Sequence, residues 1–235
     1  MKKIIHLMVI DFKLIFRDYS LRTFLLMPFL IVLIINVGLP ALVEKFPVVE
    51  DYTSYILMAS TLQAPTMFGF IYCMVFIEEK DQDIARVYGV LPVSKKGFVL
   101  VRMIPSVIVS TAFAAIILIF QPFYTLSIYS ILTISLLSAL FAPMMALLVT
   151  VFSTNKMEGL TWFKIMNALL NIPILVFFVP LWKHTFGFIP SHWIFQSLDQ
   201  IFNGSSGSLL AVIGFIYCIV IIVLLDIRFS KVHFA

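Results

Sequence analysis

The chain has 235 residues, of which 62% are hydrophobic and 12% charged, with a net charge of +4. A soluble domain carries roughly 25% charged residues. Half that share leaves too few charges to solvate a globular surface, which excludes an ordinary water-soluble enzyme or nucleic-acid-binding domain.

The uncharged runs are long: Thr23 to Val43, Tyr52 to Ile77, Met103 to Asn155, Ile165 to Trp182 and Gln200 to Leu225. A helix needs about 20 apolar residues to cross a hydrocarbon core about 30 Å thick, at 1.5 Å per residue. The run from Met103 to Asn155 is long enough for two crossings and a turn. Six spans are predicted, at about 22–43, 54–77, 99–120, 126–150, 163–182 and 208–227. The expected fold is all-α: a polytopic membrane protein with six transmembrane helices, forming one domain over residues 1–235.

Before the first span, residues 2–19 place Lys2, Lys3, His6, Lys13 and Arg17 on one helical arc, with Ile4, Ile5, Met8, Phe12, Ile15 and Phe16 opposite. This predicts a basic amphipathic helix lying in the headgroup layer. Asp11, Lys13, Arg17 and Asp18 interrupt the apolar run, which argues against a cleaved signal peptide. A short acidic loop, EKFPVVED, follows the first span, and QPFYTLS forms a tight hairpin between spans three and four. FSTNKMEG is a second short loop. Residues 183–207 contain WIFQSLDQIF and then the turn signal Asn203-Gly204. That stretch is too short to span and too apolar for a free loop, so a re-entrant or interfacial element before the last span is expected.

With the N-terminus inside, the cytoplasmic segments hold fourteen of the sixteen basic residues, leaving only Lys45 and Lys183 outside. By the positive-inside rule, both termini are expected in the cytoplasm of a cell whose plasma membrane holds the protein. The basicity is a topology signal and not a nucleic-acid footprint. Cys73 and Cys218 both fall within spans and read as packing residues. His184 and His192 have no acid or cysteine beside them to make a metal site.

Residues 78–97, between spans two and three, carry eight of the chain's 28 charged side chains. Glu78-Glu79 lacks the arginine at 83 that a paired-glutamate intramembrane protease would need, since Asp83 stands there. No zinc-protease HExxH and no phosphate-binding GxxxxGK[ST] occurs anywhere in the chain. No catalytic residue or cofactor is therefore assigned. The acids Glu78, Glu79, Asp81 and Asp83 precede a helical stretch whose Ile84, Val87, Tyr88 and Leu91 form one apolar stripe at i, i+3, i+4 and i+7. Such a helix either docks in a partner's groove or rests on the protein's own membrane face, and pattern alone leaves both open. Every acid lies in a loop or at a membrane border. The deepest polar groups are the neutral Asn36, Gln63, Asn167 and Asn171, read either as a possible substrate path or as hydrogen-bond glue between helices. Without intramembrane carboxylates, the chain is not expected to power transport alone.

The island resembles the first cytoplasmic loop of ABC-2 type transporter permeases. The matching residues are Glu78-Glu79-Lys80, then Val90-Leu91-Pro92-Val93-Ser94-Lys95-Lys96, then Arg102. The family's usual Gly-Thr after the acidic cluster is replaced by Asp83-Ile84-Ala85-Arg86. The opening, Asp11-Phe12-Lys13-Leu14-Ile15-Phe16-Arg17-Asp18, is similar to that of small drug-export permeases, including fluoroquinolone-export permeases. The resemblance implies a permease subunit that pairs with a second permease copy or paralogue. It also implies a cytosolic ATPase partner that binds the ATP and Mg. Residues Glu78, Glu79, Asp83, Arg86, Val87, Tyr88, Leu91, Pro92 and Ser94 would then couple to that ATPase, within a cytoplasmic loop 78–97. An amphipathic small molecule, lipid or peptide would be exported. The alternative is a non-transporting membrane partner, such as an immunity or sensory subunit, which would need no ATPase.

Overall fold

The computed structural model describes residues 13–82, 99, 101–179 and 185–233. Most of the expected interfacial helix over 2–19 lies outside them, although residues 13–17 are helical. Five helical segments are long and apolar enough to cross a bilayer: Leu21–Lys45, Pro47–Asp81, Ile128–Phe152, Lys156–Phe177 and Ser208–His233. Ile104–Phe120 is a shorter apolar helix of 17 residues, about 26 Å long at 1.5 Å per residue. In chain order these are the first to sixth spans, with Ile104–Phe120 the third. The protein is an all-helical polytopic membrane protein.

The second and fourth spans form the centre. Their most apolar windows are 83% and 78% buried, against 17%, 22% and 22% for the first, fifth and sixth. The closest approach in the centre is made by Gly69. A Cβ added there would lie 2.6 Å from the Ala142 carbonyl oxygen and 2.8 Å from Met145 Cβ. Hydrocarbon supplies no hydrophobic drive between helices, so small residues that let backbones meet take over that role. The outer faces carry exposed Leu26, Phe29, Leu33, Val212, Ile216 and Val220, as lipid-facing surfaces should.

Prolines explain where the helices depart from regular α. Pro40 has no N–H to offer Asn36, and a π-helical turn occupies Ile34–Gly38 just before it. Pro143 follows the break at Leu140 that divides the fourth span into Ile128–Ala139 and Phe141–Phe152. Pro173 opens the 3₁₀ turn Ile172–Phe177 that ends the fifth span. Pro105 sits in the first turn of the third span, where its missing donor is no loss.

Helix limits differ from the expected ones where capping overrides hydropathy. The fifth span begins at Lys156, seven residues before the expected 163, because Asn155 caps it. Its side chain accepts from the Glu158 N–H at 3.0 Å, while Glu158 accepts from the Thr154 N–H at 2.8 Å. The second span runs on to Asp81 instead of ending near 77, and the sixth to His233 instead of 227. Charged residues prolong these helices past the hydrocarbon without breaking them. The QPFYTLS hairpin is closed by Gln121. Its Oε1 accepts from the Phe123 and Tyr124 N–H groups, each at 2.9 Å.

The element expected at 183–207 contains the helix Ser191–Phe202, seated against the second, fourth and sixth spans. Ile194, Phe195 and Leu198 are fully buried. Ser191 donates to the Leu170 carbonyl and Ser197 to the Gly207 carbonyl, the latter at 2.8 Å. The helix ends at the predicted turn, where Gly204 has φ 81°. Cys73 and Cys218 are both free and buried.

Candidate functional site

The six spans alternate in direction, so their ends gather into two faces. One face is aromatic. Tyr124 stacks on Phe202 with ring centroids 4.2 Å apart, and Tyr55 meets Phe178 at 4.9 Å. The other face is charged and holds the Glu-Glu pair.

Successive residues on a helix point about 100° apart, and this separates Glu78 from Glu79. Glu79 turns inward and is 4% exposed. It receives two hydrogen bonds from the guanidinium of Arg102, two residues before the third span, NH1 to Oε2 at 3.0 Å and NH2 to Oε1 at 2.5 Å. Arg102 is 1% exposed, and its guanidinium lies 5.1 Å above the Phe76 ring. His233, near the end of the sixth span, brings Nε2 to 3.6 Å from Glu79 Oε2 and stacks on Phe229 at 4.5 Å. A fork-to-fork pair is the strongest geometry available to these groups. Here it ties the charged ends of the second, third and sixth spans together.

Glu78 turns outward. It pairs with Lys156 of the fifth span at 3.2 Å, and Lys156 also reaches Asp18 at 3.5 Å. Lys80 donates to the Ser153 carbonyl at 3.4 Å, capping the end of the fourth span. Three adjacent residues thus connect the second span to four of the other five. Glu78 and Glu79 were expected in a loop and instead lie on the last turns of a helix. Asp83, Arg86, Val87, Tyr88, Leu91, Pro92 and Ser94 lie outside the described residues.

Of the expected polar path, the structure brings three members together. Asn167 Nδ2 donates to Gln63 Oε1 at 3.4 Å, and Asn171 Nδ2 donates to the Asn167 carbonyl at 2.8 Å. Gln63 is sixteen residues from Glu79 on one continuous helix, about 24 Å at 1.5 Å per residue, so the cluster lies far from the charged end. The buried Asn167 Oδ1 accepts no hydrogen bond. Asn36, in the π-turn of the first span, is not hydrogen-bonded to the other three.

Sequence reading missed three partners: Arg102 for Glu79, His233, and the Lys156 bridge to Asp18 and Glu78. A signal existed for Arg102, because an arginine inside an expected span demands a partner. His233 had none, since nothing near it in the chain marks it.

No curated protein and no solved structure matches the chain. The family model described as fluoroquinolones export permease protein Rv2686c-like matches residues 11–226. That range takes in the first five spans, most of the sixth, the glutamate pair and Arg102. With its six apolar helices tied at one charged end, the chain belongs to the Rv2686c-like family of fluoroquinolones export permeases.

Proposed function

We propose that the chain is the membrane-spanning subunit of an ATP-binding-cassette exporter of the ABC-2 type. It pairs with a second permease copy or paralogue in the plasma membrane, with both termini in the cytoplasm. A cytosolic ATPase holds the ATP and Mg and seats against the loop after Glu79. Tyr88 and Leu91 enter the ATPase groove, and Asp83, Arg86, Val87, Pro92 and Ser94 frame them. Glu78 and Glu79 form the joint between loop and span.

The observation that carries this reading is the buried Glu79–Arg102 pair. The loop leaves the second span beside Glu79 and re-enters the third beside Arg102. A push on the loop therefore meets two helix ends already fastened to each other and, through His233, to the sixth span. The motion passes on as a tilt of the bundle rather than a local deformation. The family description, an export permease, gives the direction.

The test is a pull-down of the tagged protein from native membranes in mild detergent, with co-purifying proteins identified. A stoichiometric ATPase subunit is expected. Its absence even after cross-linking would overturn the reading. Tyr88→Ala combined with Leu91→Asp is expected to abolish both ATPase co-purification and transport while the permease still inserts. Retention of both activities would remove the loop from the mechanism.

The Gln63, Asn167 and Asn171 cluster is proposed as part of the substrate path, with Asn36 further along it. The substrate is an amphipathic small molecule, lipid or peptide. Gln63→Leu and Asn167→Leu are each expected to lower stability by only about 0.6 kcal/mol, the usual size for an interhelical hydrogen bond in a membrane. Both should shift which amphiphiles stimulate ATP hydrolysis. An unchanged stimulation profile would leave the cluster as helix glue.

A further inference from the structure

A cavity of about 360 Å³ lies where the first and third spans diverge over the second. This falls within the range of small-ligand sites, roughly 300–1,000 Å³. Its rim is formed by Phe16, Leu26 and Phe29, all exposed. Deeper in, Phe113 closes it, edge-on to Phe29 at 4.8 Å and against Phe68 at 5.6 Å. From Arg22 to Phe29 is seven residues of one helix, about 10 Å at 1.5 Å per residue.

The walls are almost wholly apolar, and Arg22 is the one charged residue among the described lining. It stands at the charged end of the cavity, exposed, 5.2 Å from the Tyr19 ring. It forms no ion pair with a described carboxylate. Asp18, one turn earlier, is directed to Lys156 at 3.5 Å, so the nearest acid on the helix is engaged elsewhere. An apolar slot with, at its charged end, a guanidinium that no described carboxylate neutralises is complementary to an acyl chain attached to a phosphate.

We propose that this cavity holds an anionic phospholipid from the leaflet facing the charged end. Arg22 grips the phosphodiester, and the first part of one acyl chain lies between Val109, Phe68 and Phe113. The proposal does not depend on an ATPase partner or on any transported substrate. The lipid would wedge the first and third spans at a fixed separation and so make their packing sensitive to lipid charge.

The test uses the full chain, purified in mild detergent and examined by native mass spectrometry with dioleoylphosphatidylglycerol, dioleoylphosphatidylcholine or glycerol phosphate alone. The wild type is expected to retain phosphatidylglycerol about tenfold over phosphatidylcholine, the equivalent of one charge-assisted hydrogen bond. Glycerol phosphate alone should not bind. Arg22→Gln should abolish the preference, while Arg17→Gln, at an exposed arginine outside the cavity, should keep it. Val109→Trp, which fills the slot, should reduce retention of both lipids. Equal retention of the two lipids by the wild type would overturn the proposal. So would loss of the preference in Arg17→Gln to the same degree, which would indicate diffuse surface charge. Binding of glycerol phosphate as tight as that of the lipid would reduce the site to a phosphate contact with no role for the slot.

Discussion

Arg102→Ala is expected to destabilise the folded protein by about 3–5 kcal/mol, the cost of removing one partner from a buried ion pair. The reason is what stays behind. The Glu79 carboxylate, 4% exposed in the intact protein, loses both guanidinium hydrogen bonds, with the Phe76 ring beside the vacated position and, among the described residues, His233 as its remaining ionisable neighbour at 3.6 Å. Glu79→Ala should also destabilise the protein, because it removes both hydrogen bonds that Glu79 accepts from the buried guanidinium. Arg102→Lys keeps the charge but loses the two-pronged contact and the flat seat over Phe76, so an intermediate loss is expected. The informative variant is the double replacement Glu79→Leu with Arg102→Met. Exchanging a whole buried pair for apolar groups is often neutral for stability, so the double variant should recover most of the loss. It should still fail to transport if the pair carries the push from the loop. Thermal unfolding followed by size-exclusion in mild detergent measures the first effect, and drug accumulation in cells the second. A single-variant loss under about 1 kcal/mol would mean that the pair is wetter than its burial indicates.

Gly69→Ala is the second large effect. The added methyl would fall 2.6 Å from the Ala142 carbonyl oxygen. That atom belongs to a helix backbone and cannot rotate away, so the two central spans must separate. Overpacking of this kind costs about 1–3 kcal/mol, set against a gain of up to about 1 kcal/mol from replacing glycine in a helix. Gly69→Leu has no such compensation at this contact and should prevent stable assembly. Gly159→Ala provides the control. Its methyl would meet Ile77 Cδ1 at 2.6 Å and Met74 Cε at 3.0 Å. Both are tips of flexible side chains that can swing aside, so its melting temperature should stay close to wild type. Equal losses at positions 69 and 159 would remove the close backbone approach as the explanation.

Both predictions concern the second span, and the reason is its place in the bundle. It is the most buried helix, packs along the first, third, fourth and fifth spans, and meets the sixth through Phe76 against Phe229 and Glu79 at His233. Its charged end, from Glu78 to Lys80, connects to the third, fourth, fifth and sixth spans through specific polar contacts. A perturbation delivered at this end reaches the whole bundle, whereas one delivered to the lipid-facing first or fifth span stays local.

The sequence by itself determined the number and order of the apolar helices, because crossing a bilayer is a requirement on consecutive residues that hydropathy reads directly. It also determined the turn at Asn203-Gly204 and the hairpin after Gln121, where side chains act on backbone only a few residues away. Helix ends were less legible. Asn155 starts the fifth span by capping, through a local hydrogen bond that a hydropathy window averages over. The tertiary structure alone decided that Glu78 and Glu79, neighbours of like charge, have opposite fates. Arg102 is 23 residues from Glu79, and His233 is at the far end of the chain. Their meeting depends on how three helices rotate about their own axes, and that rotation is set by packing across the whole bundle. The same holds for Ser191–Phe202. Its amphipathic pattern marks an apolar face, but only the gap left among the second, fourth and sixth spans decides that the face is buried in protein rather than laid on lipid.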